Sequence, residues 1–169
     1  KEVTENLDKY EIGMAAQKIY DFIWDEYCDW YIEMVKPRLY GDDILSNQTA
    51  QKVLLYVLEN ILKLLHPFMP FITEEIWRHL PERKEALIVS SWPKYDESME
   101  NLDAEKKMAY IMEAIKGIRN ARQEMNIAPS KKATLIFVTE DEKIKDIIDY
   151  GRRYFTNLAG GENIVIQKD

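Results

Sequence analysis

Residues 61–80, which we call the elbow, constrain the fold most, because two prolines interrupt an almost continuous apolar run there. Proline lacks a backbone N–H and disfavours the α region for the residue before it, so a helix is predicted to end just before Pro67. Thr73 offers a capping hydroxyl for a second helix, and the two glutamates after it place negative charge in the first turn. This apolar surface exceeds what one short helix buries, so we expect a tight corner packed between larger helices, with Phe71 and Trp77 deeply buried.

Apolar residues recur at a helical period along most of the chain. The pattern predicts four helices, at residues 8–35, 49–65, 73–80 and 103–126. Pro37 is expected to end or kink the first of them. We interpret the four helices as an antiparallel bundle, which makes the fold class mainly α.

The pattern changes after the fourth helix. It predicts a buried strand at 133–139, a helix at 141–158 and a short strand at 163–167. A strand, a crossover helix and a second strand form a parallel unit with a right-handed connection. Because two strands make a small sheet, residues 86–89 are a further candidate for pairing with it.

The predicted domain organisation is therefore a helical bundle at residues 1–132 and a small C-terminal β-α-β appendage at residues 133–169. We expect the appendage to pack on the bundle. In that arrangement Ile136, Val138 and Val165 would lie between the crossover helix and the bundle.

Composition excludes several classes of protein. An apolar content of 46% with 6 Gly and 6 Pro in 169 residues is typical of a globular domain. One cysteine excludes a disulfide framework and fits a reducing compartment. No apolar run approaches the ~20 residues of a membrane span, so we expect a cytoplasmic protein. The chain opens on Lys1 rather than Met, and we expect it to be a piece of something larger.

The net charge of −7 argues, at face value, against a nucleic-acid partner, but the charge is unevenly distributed. Residues 115–135 contain a single acidic residue and five cations, a local excess of +4. These cations are Lys116, Arg119, Arg122, Lys131 and Lys132. Local potential, rather than net charge, attracts a polyanion. The same residues could equally pair with the acidic first helix and hold the bundle together.

Aromatic residues are dense in the first helix, and four of them fall outside its apolar stripe. They are Tyr10, Tyr20, Trp24 and Tyr31. Such side chains offer flat faces on which unstacked bases could lie, or they could pack on neighbouring domains. Lys36 and Arg38 add positive charge at the end of this helix.

The sequence shows no apparatus for catalysis. It lacks a glycine-rich phosphate loop, and two histidines with one cysteine are too few soft ligands for a zinc site. Ser90 and Ser91 have no base at a suitable spacing. We therefore predict no catalytic, cofactor-binding or metal-binding residue in this chain.

Four segments occur together in a characteristic order. They are FIWDEYCDWYIEMVKPRL at 22–39, LLHPFMPFITEEIW at 64–77, Trp-Pro at 92–93 and IRNARQEMNIAPSKK at 118–132. Together they resemble the C-terminal anticodon-binding region of class I valyl-tRNA synthetases, and the resemblance covers nearly the whole chain. Leucyl and isoleucyl synthetases share a similar elbow, but LLHPFMPF and Arg-x-x-Arg followed by Ile-x-Pro-x-Lys-Lys are most similar to the valyl branch. The family's ATP-binding motifs, editing domain and coiled-coil arm are absent from the sequence.

The resemblance implies a division of labour. The parent enzyme would use ATP and Mg²⁺ to activate valine and transfer it to tRNA(Val), while this domain would bind the anticodon stem-loop without cofactors. It would also contact the catalytic domain and the coiled coil within a monomer. The tRNA-binding candidates are Tyr10, Trp24, Lys36, Arg38, Lys116, Arg119, Arg122, Lys131 and Lys132. Arg119 and Arg122 could instead contact the catalytic core.

Two alternatives stay open at this point. One is the corresponding domain of an isoleucyl or leucyl enzyme, which the choice of tRNA would distinguish. The other is an acidic helical scaffold that docks a protein partner through exposed aromatics. Salt dependence separates the scaffold from an RNA-binding domain, because counterion release makes RNA affinity fall steeply with salt.

Overall fold

The computed structural model describes residues 1–81 and 85–168. The chain is mainly helical with a small parallel sheet. Its elements are α1 (Glu2–Asp8), α2 (Ile12–Asp21), a π-helical segment (Phe22–Ile32), α3 (Glu33–Leu39), α4 (Ile44–Leu65), α5 (Pro70–Arg78), α6 (Leu102–Glu124), β1 (Ala133–Val138), α7 (Glu142–Leu158) and β2 (Gly161–Gln167). Short 3₁₀ turns lie at Leu87–Val89 and Glu97–Met99.

Contacts divide the chain into two compact units, Lys1–Glu97 and Ser98–Asp169. Helix α6 therefore belongs with the strands and α7. The boundary predicted between residues 132 and 133 differs from this division. As a statement about separately folding domains, it stays a prediction.

The predicted first helix is interrupted. Helix α1 ends in a turn in which Tyr10 adopts a left-handed conformation, with φ of 60°. Two backbone bonds close this turn, from Tyr10 N–H to the Leu7 carbonyl (3.0 Å) and from Glu11 N–H to the Asn6 carbonyl (2.8 Å). This is the Schellman arrangement, which usually has glycine at the left-handed position, so the sequence carries no signal for the break.

From Ile12 to Leu39 the backbone stays helical through α2, the π-helical segment and α3. A π-helix closes its hydrogen bonds from residue i to i+5 and is therefore wider than an α-helix. Tyr27 and Trp30 are its buried residues. Pro37 lies inside α3, and the helix continues to Leu39. Proline has no N–H, so one helical hydrogen bond is missing there. The expectation that Pro37 ends the helix is therefore wrong, since the helix ends two residues later.

The elbow forms a corner, as predicted, but it is not packed between larger helices, because Met69, Phe71 and Ile72 are exposed. Helix α4 ends at Leu65, and α5 begins at Pro70, where a missing N–H costs nothing. Trp77 is buried and packs in a cluster with Leu62 and Leu87. Its indole N–H donates to the Glu85 carbonyl at 3.1 Å.

Two further expectations about the elbow are wrong. Phe71 is 89% exposed, because it lies on the side of α5 roughly opposite Thr73 and Trp77. Thr73 is not an N-cap, because α5 starts three residues earlier than predicted. Thr73 is buried, and its hydroxyl donates to the Met69 carbonyl at 2.8 Å and lies 2.7 Å from His66 Nδ1.

The second unit contains the predicted strand, helix and strand. β1 and β2 pair in parallel, with Ile136 opposite Val165. Side chains of β1 alternate, and its half-buried set includes Phe137, which lies 4.9 Å from Phe155 of α7 between ring centroids. Helices α6 and α7 approach closely at Gly151, where an added Cβ would lie 3.0 Å from Ile111.

The predicted burial of the other face of the strands is wrong. Ile136 and Val138 are 58% and 56% exposed, and Val165 is 37% exposed. The physical reason is that α7 covers one face of the sheet, and the alternate side chains point away from it. The suggestion that residues 86–89 pair with the strands is also wrong, because Leu87–Val89 forms a 3₁₀ turn in the first unit.

Candidate nucleic-acid interface

Three of the predicted cations line one concavity in the second unit, with a volume of about 780 Å³. They are Arg119 and Arg122 from α6 and Lys132 from the chain just before β1. Its other wall is formed by the C-terminal end of α7 and the residues that follow it, among them Leu158 and Gly160. We call this feature the basic concavity. In the part of the chain that the structure describes, its lining carries three positive charges and no carboxylate.

Arg122 is buried, with 9% of its surface exposed. Its Nη2 donates to the carbonyl of Ala128 at 3.1 Å and to the carbonyl of Lys131. Both acceptors belong to residues 125–132, which we call the basic loop. A guanidinium suits this position because its planar fork presents several fixed donors. Arg122 therefore holds the basic loop against α6, and its predicted contact with tRNA stays a prediction.

Arg119 and Lys132 both reach the C-terminal end of α7. Arg119 Nε donates to the Leu158 carbonyl at 2.8 Å, and Lys132 Nζ lies 3.5 Å from the Thr156 carbonyl. The last carbonyls of a helix lack intrahelical partners and carry partial negative charge, so cations are favoured there. These two side chains thus stabilise the second unit as well as giving the concavity its charge.

The other two predicted tRNA-binding cations of this unit lie outside the basic concavity. Lys116 is exposed on α6, and Lys131 is exposed on the basic loop. The backbone N–H of Lys131 donates to the Ala128 carbonyl at 3.0 Å, closing a turn around Pro129. Its ammonium group is consequently presented to solvent from an ordered backbone.

The candidates in the first unit form a separate set. Tyr10 is 88% exposed, and Trp24 is 51% exposed with its ring centroid 6.2 Å from that of Tyr20. These rings offer flat surfaces to solvent, as predicted. Tyr31 does not, because it stacks on the ring of Tyr27 at a centroid distance of 6.3 Å, and burial raises its pKa.

The two cations at the end of α3 have protein partners. Lys36 forms an ion pair with Glu33 at 2.5 Å, one turn away on the same helix. Arg38 donates from Nε to the Ser46 hydroxyl at 2.9 Å, which ties α3 to the first turn of α4. Tyr40 follows them in the chain and is 84% exposed. Tyr40 is therefore a further aromatic candidate, which the sequence pattern did not indicate.

The chain matches the family model described as the anticodon-binding domain of tRNA ligase over residues 1–137. The chain belongs to this family. It is 51% identical over 164 residues to the valine–tRNA ligase of Clostridium perfringens, an alignment that covers 97% of the chain and 18% of that protein. It is 49% identical to the valine–tRNA ligase of Clostridium acetobutylicum (99% and 19%) and 41% identical to that of Bacillus cereus (99% and 19%). These relatives confirm the predicted resemblance to the valyl branch.

This anticodon-binding domain spans less than a fifth of the length of the curated relatives it matches. Residues 157–160, which form one wall of the basic concavity, lie beyond the family match, whereas the alignments with the valine–tRNA ligases cover 97–99% of the chain. The concavity therefore combines helix α6 of the shared domain with a segment that the family model does not include.

Among the described residues, no helix is both long and apolar enough to cross a membrane.

Proposed function

We propose that this chain serves as the anticodon-binding domain of a valine–tRNA ligase and binds the anticodon stem-loop of tRNA(Val). One observation carries the proposal: the alignments with valine–tRNA ligases cover 97–99% of the chain and therefore extend past residue 137, where the general anticodon-binding match ends. Aminoacylation with ATP and Mg²⁺ takes place in another part of the ligase, and this chain contributes no catalytic residue or cofactor site.

The chemistry of the exposed residues supports an RNA partner. Anticodon loops are single-stranded, so their bases can unstack and lie on aromatic side chains, while their phosphates attract cations. The first unit offers the rings of Tyr10 and Trp24, and the second unit offers Lys131 together with the basic concavity. Tyr40 joins the aromatic candidates because of its exposure.

The remaining expectations form part of the same proposal. The ligase acts as a monomer in the cytoplasm, and this domain contacts its catalytic domain and its coiled coil. The helices adopt the antiparallel bundle order of class I synthetases.

Binding to tRNA tests the proposal directly. Filter binding of the full-length protein to valine, isoleucine and leucine tRNAs, at two salt concentrations, should show preference for tRNA(Val) and a steep loss of affinity with salt. A preference for isoleucine or leucine tRNA would assign the chain to the related ligase. An affinity for tRNA that does not respond to salt would contradict an RNA role for the cations.

The exposed lysines of the basic loop are tested by the Lys131→Gln, Lys132→Gln double variant. We expect weaker binding of tRNA(Val) and a shallower slope of log affinity against log salt, by roughly one unit for each phosphate that the variant no longer neutralises. The matched control is Lys106→Gln, Lys143→Gln, which removes two exposed lysines from α6 and α7. Equal affinities and slopes for the two double variants would show that Lys131 and Lys132 do not bind phosphate and would place the phosphate contacts on other residues.

A further inference from the structure

Arg122 is hydrogen-bonded to the backbone of the basic loop. One terminal nitrogen of its guanidinium meets the carbonyls of Ala128 and Lys131, the first and last residues of the turn around Pro129. The N–H of Lys131 meets the same Ala128 carbonyl at 3.0 Å. The turn therefore has a backbone bond across it and a buried charge beneath it. A guanidinium bound in this way fixes the direction in which the Lys131 side chain leaves the backbone.

The guanidinium also lies close to the connection between α7 and β2. A Cβ built on Gly160 would lie 3.3 Å from Arg122 Cζ, so the backbone of Gly160 packs on the planar group. The Gly160 carbonyl accepts a bond from Ala133 N–H at 3.1 Å, where β1 begins. Arg122 is thus enclosed between the basic loop and this connection, with 9% of its surface exposed.

We propose that Arg122 is a positioning residue, which orders the basic loop so that Lys131 meets an RNA phosphate, and that Arg122 itself does not contact RNA. The inference rests on the proposed binding of tRNA and assigns different tasks to two cations that the sequence pattern treats alike. An ordered loop loses less conformational entropy when it binds than a mobile one. Removal of the Arg122 bonds therefore weakens binding even though Lys131 is still present to meet the phosphate.

Arg122→Lys in the full-length protein separates position from charge. Lysine keeps the positive charge but cannot present two donors in a fixed plane. We expect faster amide hydrogen exchange at residues 127–132 in the absence of RNA. We also expect about a tenfold loss of affinity for tRNA(Val), the equivalent of one charge-assisted hydrogen bond, together with a shallower salt slope. Arg153→Lys, the same change at an exposed arginine of α7, is the control and should alter neither exchange nor affinity.

A double-mutant comparison distinguishes positioning from direct contact. If Arg122 acts through the loop, Lys131→Gln costs much less affinity in the Arg122→Lys background than in the wild-type protein. Additive losses would show that Arg122 contacts RNA on its own and would overturn the inference. Unchanged tRNA affinity in Arg122→Lys, despite faster exchange in the loop, would overturn it as well.

Pro129→Gly tests the same idea without touching the buried charge. It removes no donor and loosens the turn, so we expect the loss of affinity to resemble that of Arg122→Lys. A folded Pro129→Gly protein with wild-type affinity would contradict the inference. If the proposed function itself is wrong, the result differs from these outcomes. The wild-type protein would then lack affinity for tRNA(Val), while Arg122→Lys would still accelerate amide hydrogen exchange in the basic loop.

Discussion

Replacement of Trp77 by alanine removes the largest side chain of the cluster that holds the elbow together. Trp77 is 5% exposed, so nearly all of its side chain is out of water. A tryptophan buries on the order of 200 Å², and at about 25 cal/mol per Å² this corresponds to an upper bound of about 5 kcal/mol. The cavity left beside Leu62 and Leu87 and the missing bond to the Glu85 carbonyl act in the same direction. We therefore expect a loss of ~3–5 kcal/mol in the free energy of unfolding.

Urea unfolding followed by far-UV circular dichroism measures this loss. Two variants calibrate it. Trp77→Phe keeps most of the apolar contact but cannot donate to Glu85, and we expect it to cost about 1–3 kcal/mol. Phe71→Ala removes an aromatic residue from the exposed side of the same helix and should change stability by no more than about 0.5 kcal/mol. A loss below about 1 kcal/mol for Trp77→Ala, or a similar loss for Phe71→Ala, would refute the assignment of Trp77 to the core.

Two further predictions concern stability. Gly151→Ala should lower the free energy of unfolding by about 1–3 kcal/mol, since the new Cβ would lie 3.0 Å from Ile111. Gly117→Ala should raise it by roughly 0.5–1 kcal/mol, because nothing lies within 4 Å of the new Cβ. Urea unfolding of both variants decides whether α6 and α7 are in close contact. Burial raises the pKa of Tyr27, whose hydroxyl donates to the Leu54 carbonyl at 3.1 Å, above the usual 10.0. Because the folded-state pKa exceeds the unfolded one, this contribution to stability is complete below pH 10 and is lost as pH rises through the folded-state pKa. Tyr27→Phe should therefore flatten the decline of the urea midpoint above pH 10. An identical decline in the variant would contradict the burial of this hydroxyl.

Sequence patterns predicted the helices and strands better than their ends. Helix α4 begins at Ile44 after the capping side chain of Asp43, five residues before the predicted start. Asp141 caps α7 by accepting a bond from Lys143 N–H at 2.8 Å, and the predicted start was within one residue of the observed one. The turn at Tyr10 and the π-helical segment have no such markers. Hydrophobicity predicted that Phe71 and Ile136 would be buried, but it says nothing about which face of an element meets a partner, and both side chains lie on the outer face.

Charge spacing identified the cations of the second unit, but it did not identify their partners. Arg119, Arg122 and Lys132 all meet backbone carbonyls. Every residue type carries the same backbone carbonyl, so no residue type signals these bonds. Only the path of the chain shows that the basic loop and the end of α7 supply them.

Among the residues that the structure describes, three helices end on a left-handed residue: α1 at Tyr10, α6 at Asn126 and α7 at Gly160. Asparagine and glycine adopt this conformation readily, whereas for a bulky L-residue it costs roughly 1–2 kcal/mol. Tyrosine thus occupies a place where a smaller residue would give a more stable protein, and its ring gains no burial in return. The turn after α1 is therefore less stable than it would be with glycine or asparagine at this position, and it exposes an aromatic ring to solvent. Screens that select for thermal stability alone would therefore be expected to replace Tyr10 early, at the expense of the surface it provides.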